Sequence, residues 1–206
     1  MLRLDFLRKA AHLQHCDYIV FGHQLDDIIE TQLQRIARGC ASDGLAAPRP
    51  VALFDKQPTH LRPLLHLRAG DIRRALQDSK IPWREDRSNE DISIARNALR
   101  QQIIPDLCDA LGRDPVAGAA RSRRLLEEDA AALDLLARQY LPAAYAHAPT
   151  LERARLNSMP TALLRRALAE WLSGHDLLSS LGAQAMDLLI ESLRSEREQN
   201  RMSAGT

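Results

Sequence analysis

The sequence predicts an α/β domain built on a parallel sheet, followed by a small domain made only of helices. A short β-branched and aromatic run at residues 18–21 ends at Gly22, and a 3.6-residue apolar period begins soon after it. This is the pattern of a buried strand that leads into an amphipathic helix. Predicted strands and helices alternate as far as about Pro115, and beyond it the apolar pattern is purely helical. We therefore predict one domain at residues 1–116 and a second at residues 117–206.

Composition narrows the class of protein. Hydrophobic residues make up 45% and charged residues 27% of the 206 residues, which is enough apolar material for a buried core. The formal net charge of +1 neither indicates nor excludes a nucleic-acid partner, because local patches matter more than totals. The three cysteines lie far apart and form no C-x-x-C pair, which argues against a disulfide scaffold, a zinc site and an iron–sulfur cluster.

Nothing in the sequence has the pattern of a membrane segment. No apolar run approaches the roughly 18–20 residues that cross a bilayer, and the first residues lack the apolar core of a signal peptide. We therefore expect a cytoplasmic protein without a membrane partner. The sequence makes no prediction of the oligomeric state.

The first predicted domain consists of helices and short strands. A parallel sheet needs neighbouring strands, and none can precede residue 1 in this sequence. We therefore expect the domain to be partial and to lack its first strands. Helices are predicted at residues 2–15, 25–38 and 68–80, a short strand at 51–54, and an extended segment at the start of 59–65.

The turn between the strand and the second helix is rich in polar side chains. His23, Gln24, Asp26 and Asp27 follow the strand, and Glu30 lies about one turn further along the helix. Asp27 and Glu30 share one helical face, at the strand end where open α/β sheets bind ligands. Their spacing also fits a capping box, in which the first carboxylate caps a backbone N–H and the second reaches back. Several titratable groups beside one strand end are equally typical of a site, so both interpretations stay open.

A second polar segment, residues 84–91, precedes a helix that carries Arg96 and Arg100 one turn apart. The segment is typical of a solvated loop that caps the following helix, and the arginines are typical of a solvated helical face. Two arginines on one face behind a carboxylate-rich loop would also suit a polyanionic ligand.

The second domain is predicted to contain three helices and a frayed polar tail. Near its start, Arg121, Arg123 and Arg124 form a basic cluster, which either a solvated face or contact with phosphates would explain. The predicted helices lie near residues 125–140, 160–173 and 182–193, and the tail at 195–206.

Six segments carry motifs in a fixed order. The first is His23-Gln24-Leu25-Asp26-Asp27-x-x-Glu30-Thr31, of the form H-x-L-D-D-x-x-E-T. The others are Arg38-Gly39 with Asp43-Gly44-Leu45, Arg62-Pro63-Leu64-Leu65, residues 83–89, Arg96-Asn97 through Pro105, and residues 156–171. Together they resemble the tRNA(Ile)-lysidine synthase family of the PP-loop ATP pyrophosphatase group, over nearly the whole chain.

The resemblance implies a partial PP-loop domain, with a Rossmann-like parallel sheet, followed by a small all-α domain. It implies a ligase that uses ATP and Mg²⁺ to attach L-lysine to the wobble cytidine of tRNA(Ile) with the CAU anticodon, forming lysidine. It also implies site residues: Asp26, Asp27, Glu30 and Arg96 as catalytic, with Asp27 and Glu30 holding the ammonium groups of lysine and Asp26 in the same pocket or placing the metal. We further expect His23, Asp43, Asn97 and Arg100 to bind substrate, and the basic cluster of Arg121, Arg123 and Arg124 to bind tRNA.

Two departures from the family change the expected activity. The family's S-G-G-x-D-S loop, whose backbone N–H groups would cradle pyrophosphate, does not occur in the sequence, and the C-terminal part of longer members is also absent. We therefore expect ATP binding to lack a structural basis in these 206 residues and the ligase to be inactive as this fragment alone. The alternative from a different class is a catalytically inactive tRNA-binding or scaffolding module.

Overall fold

A computed structural model of the chain describes residues 2–54, 57–142, 145, 147–175, 177–178 and 181–195. Two compact units are present, Met1–Leu126 and Glu127–Thr206. The predicted domain boundary after residue 116 lies in the first turn of the helix Pro115–Tyr140. Of the predicted tail, only residue 195 is among the described residues.

The described residues of the first unit form a three-stranded sheet. Its strands are β1 (Tyr18–Val20), β2 (Val51–Ala52) and β3 (Thr59–Leu61), arranged in the order β1-β3-β2. Strand β1 runs parallel to β3, with Ile19 opposite His60, and β2 pairs with β3 in the antiparallel direction. The predicted α/β class is therefore confirmed, with one parallel pair and one antiparallel edge strand.

The first unit also contains helices, and one of them ends at a residue that favours a helix C-terminus. Gly112 adopts a left-handed conformation (φ 58°), which glycine tolerates at a helix C-terminus, and the next helix begins at Pro115. The helices are α1 (Leu2–Leu13), α2 (Asp26–Arg38), α3 (Ser42–Leu45), α4 (Ala69–Asp78), α5 (Ala95–Ala98), α6 (Ile104–Leu111) and α7 (Pro115–Tyr140), with a 3₁₀ turn at Arg87–Glu90 and a π-helical turn at Leu99–Ile103.

The apolar core of the first unit lies between helix α2 and the start of helix α7. Ile28 and Ile29 pack there with Leu65, Val116 and Ala119. Their burial is the main driving force for holding the two helices together, at roughly 25 cal/mol per Å² of apolar surface removed from water. The core holds the first turns of α2 in place, and with them Asp27 and Glu30, which flank Ile28 and Ile29 in the helix.

The second unit is helical in its described part. Its helices are α8 (Arg153–Asn157), α9 (Thr161–Gly174) and α10 (Ala183–Arg194), together with the C-terminal part of α7. Helix α9 buries Leu164 and Leu168 against Met159 and Ile190. The Nη2 atom of Arg194 donates to the carbonyl of Met159 at 2.7 Å, which joins the end of α10 to the start of α9. The predicted helices at 160–173 and 182–193 agree with α9 and α10 to within one residue at each end.

No helix in the part of the chain that the structure describes combines the length and the apolar character needed to cross a membrane.

Candidate active site

Four charged side chains form one hydrogen-bonded cluster between helix α2 and the segment that contains α5. The Nε atom of Arg96 donates to Oε2 of Glu30 at 2.5 Å, and its Nη2 donates to Oδ1 of Asp27 at 2.5 Å. The Nε atom of Arg100 donates to Oε1 of Glu30 at 2.6 Å, and its Nη2 approaches Oδ1 of Asp27 at 3.3 Å. Two carboxylates and two guanidinium groups give this acidic–arginine cluster a formal charge of zero.

The carboxylates of the acidic–arginine cluster lie inside and the guanidinium groups lie nearer the surface. The Glu30 side chain is 1% exposed and Asp27 is 9% exposed, whereas both arginine side chains are 41% exposed. Burying a carboxylate costs several kcal/mol unless a cation and hydrogen bonds compensate it, so the arginines are the reason that Glu30 can be buried. The guanidinium groups separate these carboxylates from solvent on one side.

Arg96 is electrostatically tied to the two carboxylates. Burial alone lowers the pKa of Arg96, but its hydrogen bond to Glu30 and the negative charge of Asp27 outweigh burial and raise the pKa above its ordinary value. Arg96 therefore stays charged at every physiological pH. Its side chain behaves as a permanent cation at the mouth of the site.

Helix geometry explains why these four residues meet. Asp27 and Glu30 are three residues apart on α2, and Arg96 and Arg100 are four residues apart, so each pair shares a helical face. Arg100 lies in the π-helical turn Leu99–Ile103. Turns of this kind are rare and frequently occur at functional sites, because they change where the side chains of a helix point.

The capping interpretation of Asp27 and Glu30 is partly wrong. Helix α2 begins without a side-chain cap, and the carboxylate that reaches back is Asp27, whose Oδ2 accepts the backbone N–H of Gln24 at 2.7 Å. Both oxygens of Glu30 instead accept hydrogen bonds from arginines. Asp27 therefore fixes the turn with one oxygen and presents the other to the acidic–arginine cluster.

His23 is held beside the cluster by an arginine that the motif analysis did not assign to the site. Arg62 donates from Nε to Nδ1 of His23 at 3.1 Å, and from Nη1 to the carbonyl of Arg49 at 2.8 Å. Burial lowers the pKa of His23, the charges of Arg62 and Arg96 lower it further, and Asp27 opposes them. The ring is therefore neutral, with its proton on Nε2. The signal for Arg62 was its place in the segment Arg62-Pro63-Leu64-Leu65.

The other predicted catalytic and substrate-binding residues have partners outside the acidic–arginine cluster. The Oδ2 atom of Asp26 accepts the backbone N–H of Ala69, the first residue of α4, at 2.8 Å. Asp43 forms an ion pair with Arg49. The side-chain amide of Asn97 donates to the carbonyls of Ser88 and Asp91, at 2.7 and 2.9 Å, and so fixes the 3₁₀ turn against α5.

The three arginines predicted to bind tRNA differ in exposure. All three lie on α7; Arg121 and Arg124 are exposed, and Arg123 is buried. Within the described residues, no group of three or more His, Cys, Asp or Glu side chains is arranged to hold a metal ion.

Comparison with known proteins places the chain in a family. The profile of the PP-loop domain family matches residues 1–107, which contain the whole acidic–arginine cluster. The chain belongs to the PP-loop domain family. The resemblance predicted from the six motifs is therefore confirmed.

Named relatives of this PP-loop chain agree in function. A tRNA(Ile)-lysidine synthase from Nocardia farcinica is 37% identical over 180 residues, covering 86% of the chain and 55% of the relative. One from Mycolicibacterium paratuberculosis is 33% identical over 192 residues, covering 92% of the chain and 58% of the relative. A third, from Aromatoleum aromaticum, is 41% identical over 125 residues, or 61% of the chain and 29% of the relative. The chain thus spans at most 58% of the length of these three relatives.

Proposed function

We propose that this chain supplies the lysine-binding side of a tRNA(Ile)-lysidine synthase. The reaction is the ATP-dependent ligation of L-lysine to the wobble cytidine of tRNA(Ile) with the CAU anticodon, in the cytoplasm. The observation that carries the proposal is the pair of buried carboxylates on α2, Asp27 and Glu30, each bound to two arginines. The printed names of the relatives supply the substrate class.

The acidic–arginine cluster has the chemistry that a free amino acid with a cationic side chain requires. Ammonium groups donate three hydrogen bonds each, and the four carboxylate oxygens of Asp27 and Glu30 are acceptors only. Lysine also brings a carboxylate, which a guanidinium group binds in a bidentate fashion. Lysine can therefore enter by exchange: its ammonium group takes the place of one guanidinium on the carboxylates, and its carboxylate binds the arginine that was displaced.

Arg100 is the arginine that we expect to be displaced. Its contact with Asp27 is 3.3 Å long, whereas the corresponding contact of Arg96 is 2.5 Å, so Arg100 gives up less when it leaves. Arg96 then remains to compensate the buried Glu30. Exchange of this kind never leaves the buried carboxylates without a cation, which keeps the desolvation cost of binding small.

The cofactors ATP and Mg²⁺ follow from the family and not from the residues of the cluster. The sequence contains no Ser-Gly-Gly, the start of the loop that would cradle pyrophosphate with backbone N–H groups. Among the described residues, the Oδ2 atom of Asp26, the expected metal-placing group, already accepts a backbone N–H. These residues fit the amine and not the phosphates, so the chain contributes binding and orientation of lysine.

Calorimetric titration of L-lysine into the 206-residue chain tests the proposal. We expect lysine to bind, norleucine (which lacks the ε-ammonium group) to bind much more weakly, and Glu30→Gln to reduce lysine affinity at least about tenfold, since hydrogen bonds to charged groups contribute roughly 1.5–3 kcal/mol. Glu85→Gln is the matched control, because Glu85 pairs with Arg73 at the exposed surface.

Two outcomes would count against the proposal. Equal affinities for lysine and norleucine would mean that the carboxylates do not read the ε-ammonium group. A folded chain that binds tRNA but gives no heat with lysine would favour the inactive tRNA-binding or scaffolding module instead. Circular dichroism melting of each variant separates loss of binding from loss of folding.

A further inference from the structure

Arg62 and His23 form a pair within the first unit whose purpose the acidic–arginine cluster does not explain. The Nε atom of Arg62 donates to Nδ1 of His23 at 3.1 Å, and its Nη1 atom donates to the carbonyl of Arg49 at 2.8 Å. The guanidinium group also lies over the ring of Phe21, with 5.3 Å between Cζ and the ring centroid. Two hydrogen bonds and one cation–π contact therefore fix the position of the Arg62 side chain.

The positive charge of Arg62 has no anion beside it. Among the residues that the structure describes, its hydrogen-bond partners are a neutral ring and a backbone carbonyl, and it forms no ion pair with a carboxylate. Burial lowers the pKa of Arg62, and the charge of Arg35 lowers it further. A half-buried cation without an anionic partner stabilises a fold less than a paired one does, and it leaves a positive potential beside His23.

The arginine at Nδ1 determines what kind of group His23 can bind. Guanidinium groups are donors only, so Nδ1 accepts and the proton of the neutral ring lies on Nε2. A histidine whose Nδ1–H donates to a carboxylate has the opposite arrangement and presents Nε2 as an acceptor. The Nε2 atom of His23 has no hydrogen-bond partner among the described residues and is not buried. His23 thus presents an accessible N–H donor, which suits an oxygen acceptor and not an ammonium group.

The donor of His23 is fixed next to the acidic–arginine cluster. The ring of Phe21 stacks on the ring of His23, with 5.6 Å between centroids and 27° between planes. The charges of Asp27 and Arg96 both act on His23, which places the ring beside the cluster. Asp27 and Glu30 offer acceptors, and His23 offers a donor. The two kinds of group complement the ammonium and the carboxylate of one amino acid.

We propose that the Nε2–H group of His23 donates to the carboxylate of the bound amino acid, and that Arg62 is the positioning residue that fixes this donor. This inference rests on the proposed function, because it concerns the same lysine whose ammonium group binds Asp27 and Glu30. A carboxylate has two oxygens, so Arg100 and His23 can bind it together. The hydrogen bond from Arg62 polarises the ring and strengthens the donor at Nε2.

Nitrogen NMR of the imidazole ring tests the role of Arg62 without any ligand. Long-range proton–nitrogen spectra of the 206-residue chain show which ring nitrogen carries the proton, and His23→Asn identifies the His23 signals. We expect the proton on Nε2. Arg62→Met removes the donor and should shift the Nδ1 signal and admit the Nδ1-protonated form, whereas Arg62→Lys keeps a donor and should preserve the Nε2 form. Arg73→Met is the matched control, because Arg73 is 60% exposed and pairs with Glu85.

Two results of the NMR experiment would overturn the positioning role. One is a ring that carries its proton on Nδ1 in the unmodified chain. The other is a His23 spectrum that Arg62→Met leaves as unchanged as Arg73→Met does. Circular dichroism melting shows that each variant is folded, and the Arg62→Lys spectrum keeps the test decisive if Arg62→Met does not fold.

Calorimetry with L-lysine and cadaverine tests the contact with the carboxylate, because cadaverine is lysine without that group. His23→Leu should raise the Kd of lysine about tenfold, a loss typical of one hydrogen bond to a charged group, and should leave the Kd of cadaverine unchanged. His23→Gln keeps a side-chain N–H donor and should restore part of the lysine affinity. Arg62→Met should also weaken lysine more than cadaverine, and Arg73→Met should change neither.

The outcomes separate this inference from the proposed function. Equal losses for lysine and cadaverine, or an unchanged lysine affinity in His23→Leu, would refute the contact with the carboxylate and leave the proposed function in place. Inorganic phosphate is the other source of an anionic oxygen: if His23→Leu weakens phosphate binding and not lysine binding, the donor serves a phosphate and the carboxylate assignment is wrong. If neither lysine nor cadaverine binds the unmodified chain, the proposed function and the carboxylate contact are both wrong, and the NMR result still decides the role of Arg62.

Discussion

Helices α2 and α9 are nearly equal in length, but only α2 buries polar and charged side chains. Helix α9 buries apolar residues only: Leu163, Leu164, Ala167, Leu168 and Leu172. Helix α2 buries Ile28 and Ile29 but also Asp27, Glu30 and Gln32. A helix that stabilises a fold gains nothing from burying carboxylates, since pairing only offsets their desolvation. The comparison indicates that α9 serves packing, and under the proposed function the first turns of α2 serve lysine binding as well as packing.

The largest expected effect tests the packing role of α9. Leu164 is fully buried, so Leu164→Ala should lower the free energy of unfolding by about 2–5 kcal/mol through lost burial and a residual cavity. Chemical denaturation measures the loss. Lysine affinity should not change as long as the chain is folded. A drop in lysine affinity without a drop in stability would break the assignment of α9 to packing.

The sequence predicted α9 well because its apolar residues follow a single helical period. The same period puts Ile36 on the apolar side of α2 and Glu30 on its polar side, yet Ile36 is 61% exposed and Glu30 is 1% exposed. Helical periodicity identifies a polar face but not what covers it. Arg96 and Arg100 cover Glu30, and Arg100 lies 70 residues further along the chain than Glu30. Long-range pairing of this kind has no local signal.

The motifs identify residues but not the contacts that those residues make. The cluster joins Asp27, Glu30 and Arg96 as the family resemblance implies, yet the motifs did not predict that Arg62 holds His23 or that Asn97 clamps the 3₁₀ turn. Each of these is a hydrogen bond to a specific atom, and spacing cannot specify it.

The second prediction tests the binding role of α2. Glu30→Gln leaves Arg96 and Arg100 facing a neutral amide, and we expect unfolding free energy to fall by roughly 2–3 kcal/mol, below the figure for a fully buried pair because the guanidinium groups reach solvent. Lysine affinity should fall with it. Chemical denaturation and calorimetry measure the two losses on the same sample.

Helix α9 provides the matched control for this substitution. Glu170 pairs with Arg138 at 3.6 Å near the surface, so Glu170→Gln removes the same charge from an exposed pair. Pairs of this kind contribute about 0–1 kcal/mol. If Glu30→Gln and Glu170→Gln lower the free energy of unfolding equally, the buried pair at Glu30 is worth no more than an exposed one. The proposed difference between α2 and α9 is then wrong.

The third prediction concerns pH and the first unit. Burial lowers the pKa of His23 and of His60, with the charge of Arg62 adding to the effect in both. The unfolded chain therefore binds more protons than the folded chain below the ordinary value of 6.5, so stability is complete above pH 6.5 and falls as the pH drops below it. Denaturation at a series of pH values measures the slope.

Single substitutions separate the contributions of the two histidines to the pH dependence of stability. His23→Asn should make stability less dependent on pH below 6.5, and His60→Asn should do so independently. Only His23 lies in the H-x-L-D-D-x-x-E-T motif, so His23→Asn should in addition change the pH profile of lysine binding. A slope that is unchanged in both variants would mean that other groups produce the acid sensitivity.

The smallest expected effect on stability is that of substituting Ile36, near the C-terminal end of α2. It tests how far along the helix the side chains are buried. Ile36 belongs to the same apolar period as Ile29 but is exposed, so Ile36→Ser should change the free energy of unfolding by no more than about 0.5 kcal/mol. Ile29→Ser, at the same sequence pattern but 4% exposed, should cost several times more. Thermal melting compares the two directly. A large loss from Ile36→Ser would mean that another surface covers this end of the helix, because an exposed side chain has little burial to lose.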